Sequence, residues 1–165
     1  MQTRNIDARG SVLKLPPVPV LISRVHVPSR VIPSAALKRR AERMLQALKL
    51  ESAELSILLC DDPTIHTLNR DHRRKDKPTD VLAFALREGK PVPGSKALGD
   101  VVISLDTAAR QAEELGRTLW DEVTWLLAHG LLHLLGYDHR TVAEERRMNA
   151  RADMLIAATK QRSRT

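Results

Sequence analysis

A chain of 165 residues with 42% apolar residues is long enough for one domain with a real core, and too apolar to be disordered throughout. Its formal net charge of +7 favours a polyanionic partner, RNA or DNA before an anionic membrane surface, although a merely basic soluble protein carries the same balance. An aromatic content of 2% argues against a nucleic-acid binder built on rows of stacking rings, and the lone Cys60 excludes an intrachain disulfide and fits a reducing compartment.

No apolar run approaches the ~18–20 residues of a membrane span. Residues 12–22 are interrupted by Lys14, Pro16, Pro17 and Pro19, so they do not make an export signal, and the cytoplasm is the expected location. Residues 1–17 lack periodicity and are expected to be a mobile tail, 18–159 a single catalytic domain, and 160–165 a frayed end. The β-branched run from Val18 to Val27 predicts a strand. Pro33-Ser34 opens a helix with Leu37, Ala41, Met44 and Leu48 as its buried stripe, and with Lys38, Arg39, Arg40 and Arg43 facing water. Glu54 to Cys60 predicts the second strand. Asp62-Pro63 marks the next helix start, Asp62 as N-cap, and that helix gives way near Arg73 to a polar loop over 74–79. Val81 to Leu86 predicts a third strand and Val101 to Leu105 a fourth, with residues 87–97 between them a candidate flexible flap. Asp106 can cap a helix that stops at Gly116. Thr118 to Asp121 resembles a capping box, and the helix it opens runs to about Leu135. Val123, Leu127, Leu131 and Leu134 line one side of that helix and Leu126, His129 and His133 another, so it should be central and buried. Val142 to about Thr159 is the last helix, with Met148, Ala152, Leu155 and Ile156 as its stripe. About four strands in one mixed sheet with about five helices predict an α+β fold, an α/β sandwich.

The chemistry concentrates in His129-Gly130-Leu131-Leu132-His133-Leu134-Leu135-Gly136-Tyr137-Asp138-His139, which holds three of the chain's six histidines. His129 and His133 stand one turn apart on one helix face. Gly136 supplies the left-handed residue that ends a helix, so the chain can return His139 to the same point. Three neutral imidazoles at ~2.0–2.1 Å would hold one Zn²⁺ per chain with its fourth position open to water, a catalytic arrangement. A lone histidine on an apolar helix is ordinarily a satisfied core residue; the trio and the glycine together are what favour a metal.

Such a zinc lowers the pKa of its water to ~7 and polarises carbonyl or phosphoryl oxygens, which bounds the function to metal-assisted hydrolysis. The spacing H-x-x-x-H-x-x-G-x-x-H is also that of the metzincin peptidases, but those carry a glutamate as general base directly after the first histidine, where this chain has Gly130. Phosphodiester hydrolysis instead needs cations on the phosphoryl oxygens, and Arg70, Arg73, Arg74, Lys75 and Lys77 form a basic cluster able to supply them unless it is simply a solvated face.

Together with Leu68 to Phe84 (LNRDHRRKDKPTDVLAF) and Leu98 to Ser104 (LGDVVIS), the histidine stretch resembles the YbeY family of bacterial endoribonucleases, also called rRNA maturation factors. The resemblance implies a metal-dependent endoribonuclease specific for single strands, acting in maturation of the small-subunit rRNA 3′ end and in ribosome quality control. It implies zinc on His129, His133 and His139, and a catalytic arginine matching Arg73. Lys75 and Lys77 are candidate RNA-binding residues, and the partners implied are single-stranded RNA, ribosomal RNA and ribosomal particles, with no membrane. The chain departs from the family at His72, where tyrosine is frequent, and at Ala83, where serine is usual. Two other readings stay open: a zinc metallopeptidase of metzincin-like spacing, and a non-catalytic ribosome-assembly factor whose metal is structural.

Overall fold

A computed structural model describes residues 20–86 and 96–160. The expected N-terminal tail, nearly all of the expected 87–97 flap and the C-terminal tail beyond Lys160 lie outside the described residues. The elements run β1 (Val20–Val25), α1 (Ser34–Ala47), β2 (Glu54–Cys60), α2 (Asp62–Arg73), β3 (Val81–Ala85), β4 (Ala97–Ser104), α3 (Leu105–Leu115), α4 (Leu119–Leu134) and α5 (Val142–Thr159). The four strands form one mixed sheet in the order β1-β2-β4-β3, with β3 antiparallel to β4 and the other pairs parallel. The expected α+β architecture is therefore the one observed.

Strand periodicity divides the core. Leu55, Ile57 and Leu59 of β2 and Val101 and Ile103 of β4 point into the main core, where α4 packs on β4, α1 on β1, and α5 on both helices. The alternate residues Leu58, Cys60 and Val102, with Leu82 and Phe84 of β3, join a smaller cluster with Ile65 and Leu68 of α2. Helix α4 is apolar nearly all round and is central, packing on β3 and β4 and on α1, α3 and α5. No helix among the described residues is long and apolar enough to cross a membrane.

Five boundaries and contacts differ from the sequence expectation. The α2 N-cap is Asp61, which accepts from the Thr64 N–H, and not Asp62. Asp62 turns back to the sheet, where it accepts from the Ser104 and Thr107 hydroxyls and pairs with Arg110 at 2.8 Å. Strand β4 begins at Ala97, four residues early, because Gly99 and Asp100 already pair with β2 and β3. Ser104, not Asp106, then caps α3. On α1, Leu45 is buried while Leu48 is only half-buried, since Leu48 is already the C-cap. The basic run on α1 does not simply face water: the Arg40 guanidinium lies 4.1 Å over the Trp120 ring and donates to Thr124, and Arg43 donates to the Thr159 carbonyl at 2.7 Å. Both arginines tie α1 to its neighbouring helices through packed stems and charged heads.

Candidate active site

The end of α4 supplies two histidines and its turn the third. Leu135 closes the helix, and Gly136 follows with φ +93°, a conformation that costs glycine little. The Gly136 N–H bonds to the His133 carbonyl at 3.0 Å and the Tyr137 N–H to the Leu132 carbonyl at 3.1 Å. This paired arrangement is a Schellman turn. It sends the chain back along the helix end, so His139 faces His133 with ring centroids 5.4 Å apart, edge to face.

His129 is 8% exposed and its ring lies 3.7 Å, centroid to centroid, from that of Trp125. Its Nδ1 is 2.9 Å from the Trp125 carbonyl, and because a carbonyl only accepts, Nδ1 carries the proton and donates. Asn149 Oδ1 lies 3.2 Å from Nε2. An amide oxygen only accepts, so this contact is a hydrogen bond when Nε2 carries a proton, and a ring protonated at Nδ1 alone needs the amide turned over to present its NH₂. Burial, then the neighbouring His139, holds the His133 pKa below the ordinary imidazole value, so its ring is neutral near pH 7. Asp138 accepts from the His139 N–H at 2.8 Å, and that bond, with Arg140 nearby, lowers its carboxyl pKa.

The three histidines line one cleft of about 910 Å³. As placed, no three His, Cys, Asp or Glu side chains among the described residues stand close enough to hold a metal ion. The donor chemistry nonetheless fits zinc. Two imidazoles sharing a tetrahedral zinc at ~2.0–2.1 Å would have centroids roughly 5 Å apart, close to the His133–His139 arrangement. A carbonyl on Nδ1, as at His129, is the usual partner that sets a ligating tautomer. Completing the trio requires His129 Nε2 to part from Asn149.

Arg73 ends α2 and lines the same cleft. The edge strand β3 holds it there: its Nη2 donates to the Ala83 carbonyl at 2.6 Å, and its guanidinium lies 5.2 Å from the centre of the Phe84 ring. Lys75 also lines the cleft. Lys77 is not among the residues lining it, and its carbonyl instead accepts from the buried Asn69 side chain at 2.8 Å. His72 sits edge-on against Phe84 at 5.3 Å, likewise outside the cleft lining.

Gly130 has a structural reason. A Cβ there would stand 2.7 Å from Val101 Cγ1 and 3.2 Å from Val81 Cγ2, so α4 meets the sheet where any side chain would collide. A peptidase glutamate has no room at this position.

Sequence reasoning missed several groups at the site. Asn149, Glu145 and Arg140 line the cleft with no local motif to mark them, and Asp80, inside the Leu68 to Phe84 stretch, lines it too. Asp80 is held by the Val81 N–H at 2.7 Å and by Gln111 at 3.2 Å. Glu122, on the same helix as His129, is 1% exposed, with Arg117 3.3 Å from its Oε2 as an ion pair that lacks hydrogen-bond geometry. Burial raises its pKa against the pull of Arg117, and Asp80 adds to the rise. An acidic residue in a helix apolar all round was the available signal.

Residues 26–160 match the family described as Endoribonuclease YbeY. A protein of that name from Aquifex aeolicus is 50% identical over 121 residues, 73% of this chain and 79% of that protein. Another, from Syntrophotalea carbinolica, is 46% identical over 142 residues, 81% of this chain and 93% of the relative. The solution structure of TM1509 from Thermotoga maritima has the same fold, with a TM-score of 0.60 at 23% identity over 85% of this chain and 88% of that one.

Proposed function

The chain belongs to the YbeY endoribonuclease family, and from that premise we propose that it cleaves single-stranded RNA by zinc-assisted hydrolysis, acting in the cytoplasm on ribosomal RNA and ribosomal particles, at the 3′ end of the small-subunit RNA. The observation that carries this reading is the placement of His129, His133, His139 and Arg73 on one cleft. His129, His133 and His139 would hold the ion. When bound, it supplies Lewis-acid polarisation of the phosphoryl group and a water acidic enough to attack near neutral pH.

The remaining work falls to the chain itself. Arg73 offers a planar fork to the scissile phosphate and stabilises charge that grows on its oxygens. The Ala83 carbonyl and the Phe84 ring orient that fork before substrate arrives. Lys75 adds a point charge beside it, and Lys77 acts more weakly from outside the cleft. The Trp125 carbonyl holds His129 in one tautomer. With few aromatics, the grip is on the RNA backbone and sequence preference is weak.

The peptidase reading loses ground at Gly130, where the sheet excludes the missing base. The test offers labelled unstructured RNA and an unstructured peptide to the purified protein with and without zinc. RNA cleavage that requires zinc is expected. Peptide cleavage with intact RNA would transfer the assignment to the peptidases, and tight binding to ribosomal particles without any cleavage would make the protein an assembly factor.

A further inference from the structure

We propose that Arg140 is a second phosphate contact of the cleft, gripping the RNA strand on the far side of the histidines from Arg73 and Lys75. The inference rests on the RNA reading above and adds the path of the strand. Helix α4 packs on β3 and β4 along one side and on α5 along another, so its histidines lie between two lips. Arg73 and Lys75 come from the α2 end beside β3. Arg140 comes from the segment that leads into α5, directly after His139.

Three features suit Arg140 to the task. Its side chain is 86% exposed, so it reaches an incoming strand without rearrangement. Its Nε lies 2.7 Å from Asp138 Oδ2, which steadies the root of the guanidinium and leaves the Nη edge for a phosphate. Its backbone N–H donates to Glu144 Oε2 at 3.1 Å, which anchors the residue at the start of α5. Asp80, Asp138 and Glu145 also line the cleft and offset part of this charge. Asp80 is taken up by Val81 N–H and Gln111, and Asp138 by His139 N–H and Arg140 itself. Glu145 adds negative charge on the α5 lip, where Arg140 is then the cation a phosphate needs. A strand held at both lips crosses the histidines, which places the bond to be cut between two gripped phosphates.

The experiment is the salt dependence of binding of a labelled unstructured RNA to the full-length protein, with chelator present and the RNA checked for intactness. Each phosphate neutralised on a single strand contributes about −0.7 to the slope of log K against log [salt]. Arg140→Gln should make the slope shallower by about 0.7, as Arg73→Gln should, while Arg140→Lys should keep the wild-type slope. Arg39→Gln, on the exposed face of α1 away from the cleft, should change nothing. With an RNA too short to span both lips, the Arg140→Gln and wild-type slopes should coincide. A wild-type slope for Arg140→Gln beside a reduced one for Arg73→Gln would overturn the second contact and leave the RNA reading standing. A wild-type protein that does not bind RNA at all would remove both. Unchanged melting temperatures for the variants keep the comparison free of folding effects.

Discussion

The two walls of the cleft are built on different plans. The histidine wall is one buried helix and the turn that ends it, and its three rings lie within residues 129–139. Their spacing follows from the helix period and one left-handed glycine, so it depends on local backbone geometry. The arginine wall is exposed and made from two segments, the end of α2 and the edge strand β3. An edge strand leaves outward carbonyls without a sheet partner, and Arg73 occupies the one at Ala83. Histidine spacing can therefore be written locally, whereas the position of the arginine is a product of packing. The first wall should fail when a ring or the α4–sheet contact is changed; the second should fail by degrees as its supports are removed.

The largest effect is expected at a ring. His133→Ala should abolish zinc binding and lower RNA cleavage by more than the ~10²–10³-fold typical of losing one preorganised donor. It should also erase the rise in melting temperature that added zinc gives the wild type. Full metal occupancy in both His129→Ala and His133→Ala would break the histidine half of the comparison.

Arg73→Lys comes next. Lysine keeps the charge but lacks the bidentate fork, so turnover should fall ~10²-fold with metal content unchanged. Wild-type turnover in that variant, measured on the same RNA, would reduce Arg73 to a general charge.

Gly130→Ala tests the contact beneath the histidines. Its Cβ would meet Val101 Cγ1 at 2.7 Å, and overpacking of this kind costs about 1–3 kcal/mol. Melting should drop by roughly 2–4 °C per kcal/mol for a chain of this size. Adding Val101→Ala should recover part of the loss, because the two sites touch. Equal melting of Gly130→Ala and wild type would contradict the close approach of α4 to the sheet.

The smallest effect is expected at Phe84→Leu. A cation–π contact at an exposed site is worth about 0.5–1 kcal/mol, which corresponds to a roughly 2- to 5-fold fall in turnover. KM and metal content should hold, and Phe84→Tyr should restore the rate because it keeps the ring. A fall in stability without a change in turnover would make Phe84 a packing residue and nothing more.

Much of this protein was legible before any tertiary contact was known, because the signals are local. Thr118 and Thr141 each accept from a backbone N–H three residues on, and α4 and α5 begin where those caps place them. The turn at Gly136 needs one residue with positive φ, and glycine there announces it. Even so, adjacent carboxylates defeated local reasoning: Asp61 and Asp62 are equivalent as caps in sequence, and the contact of Asp62 with Ser104, Thr107 and Arg110 decides between them. The same limit applied to β4, whose residues before Val101 carry no strand signal of their own and join the strand by pairing with β2 and β3.

By itself the sequence determined the helix that carries His129 and His133, the turn that returns His139, and the absence of a side chain at 130, since each depends on residues within about one or two helical turns. Tertiary structure alone decided that Arg73 shares a cleft with them, that Asn149 meets His129 Nε2, that Lys75 but not Lys77 lines the cleft, and why position 130 must be bare. Those facts join residues far apart in the chain, and their geometry exists only once β3 pairs at the sheet edge and α5 closes over α4. No periodicity or spacing encodes such pairings, because they are set by which surfaces bury one another.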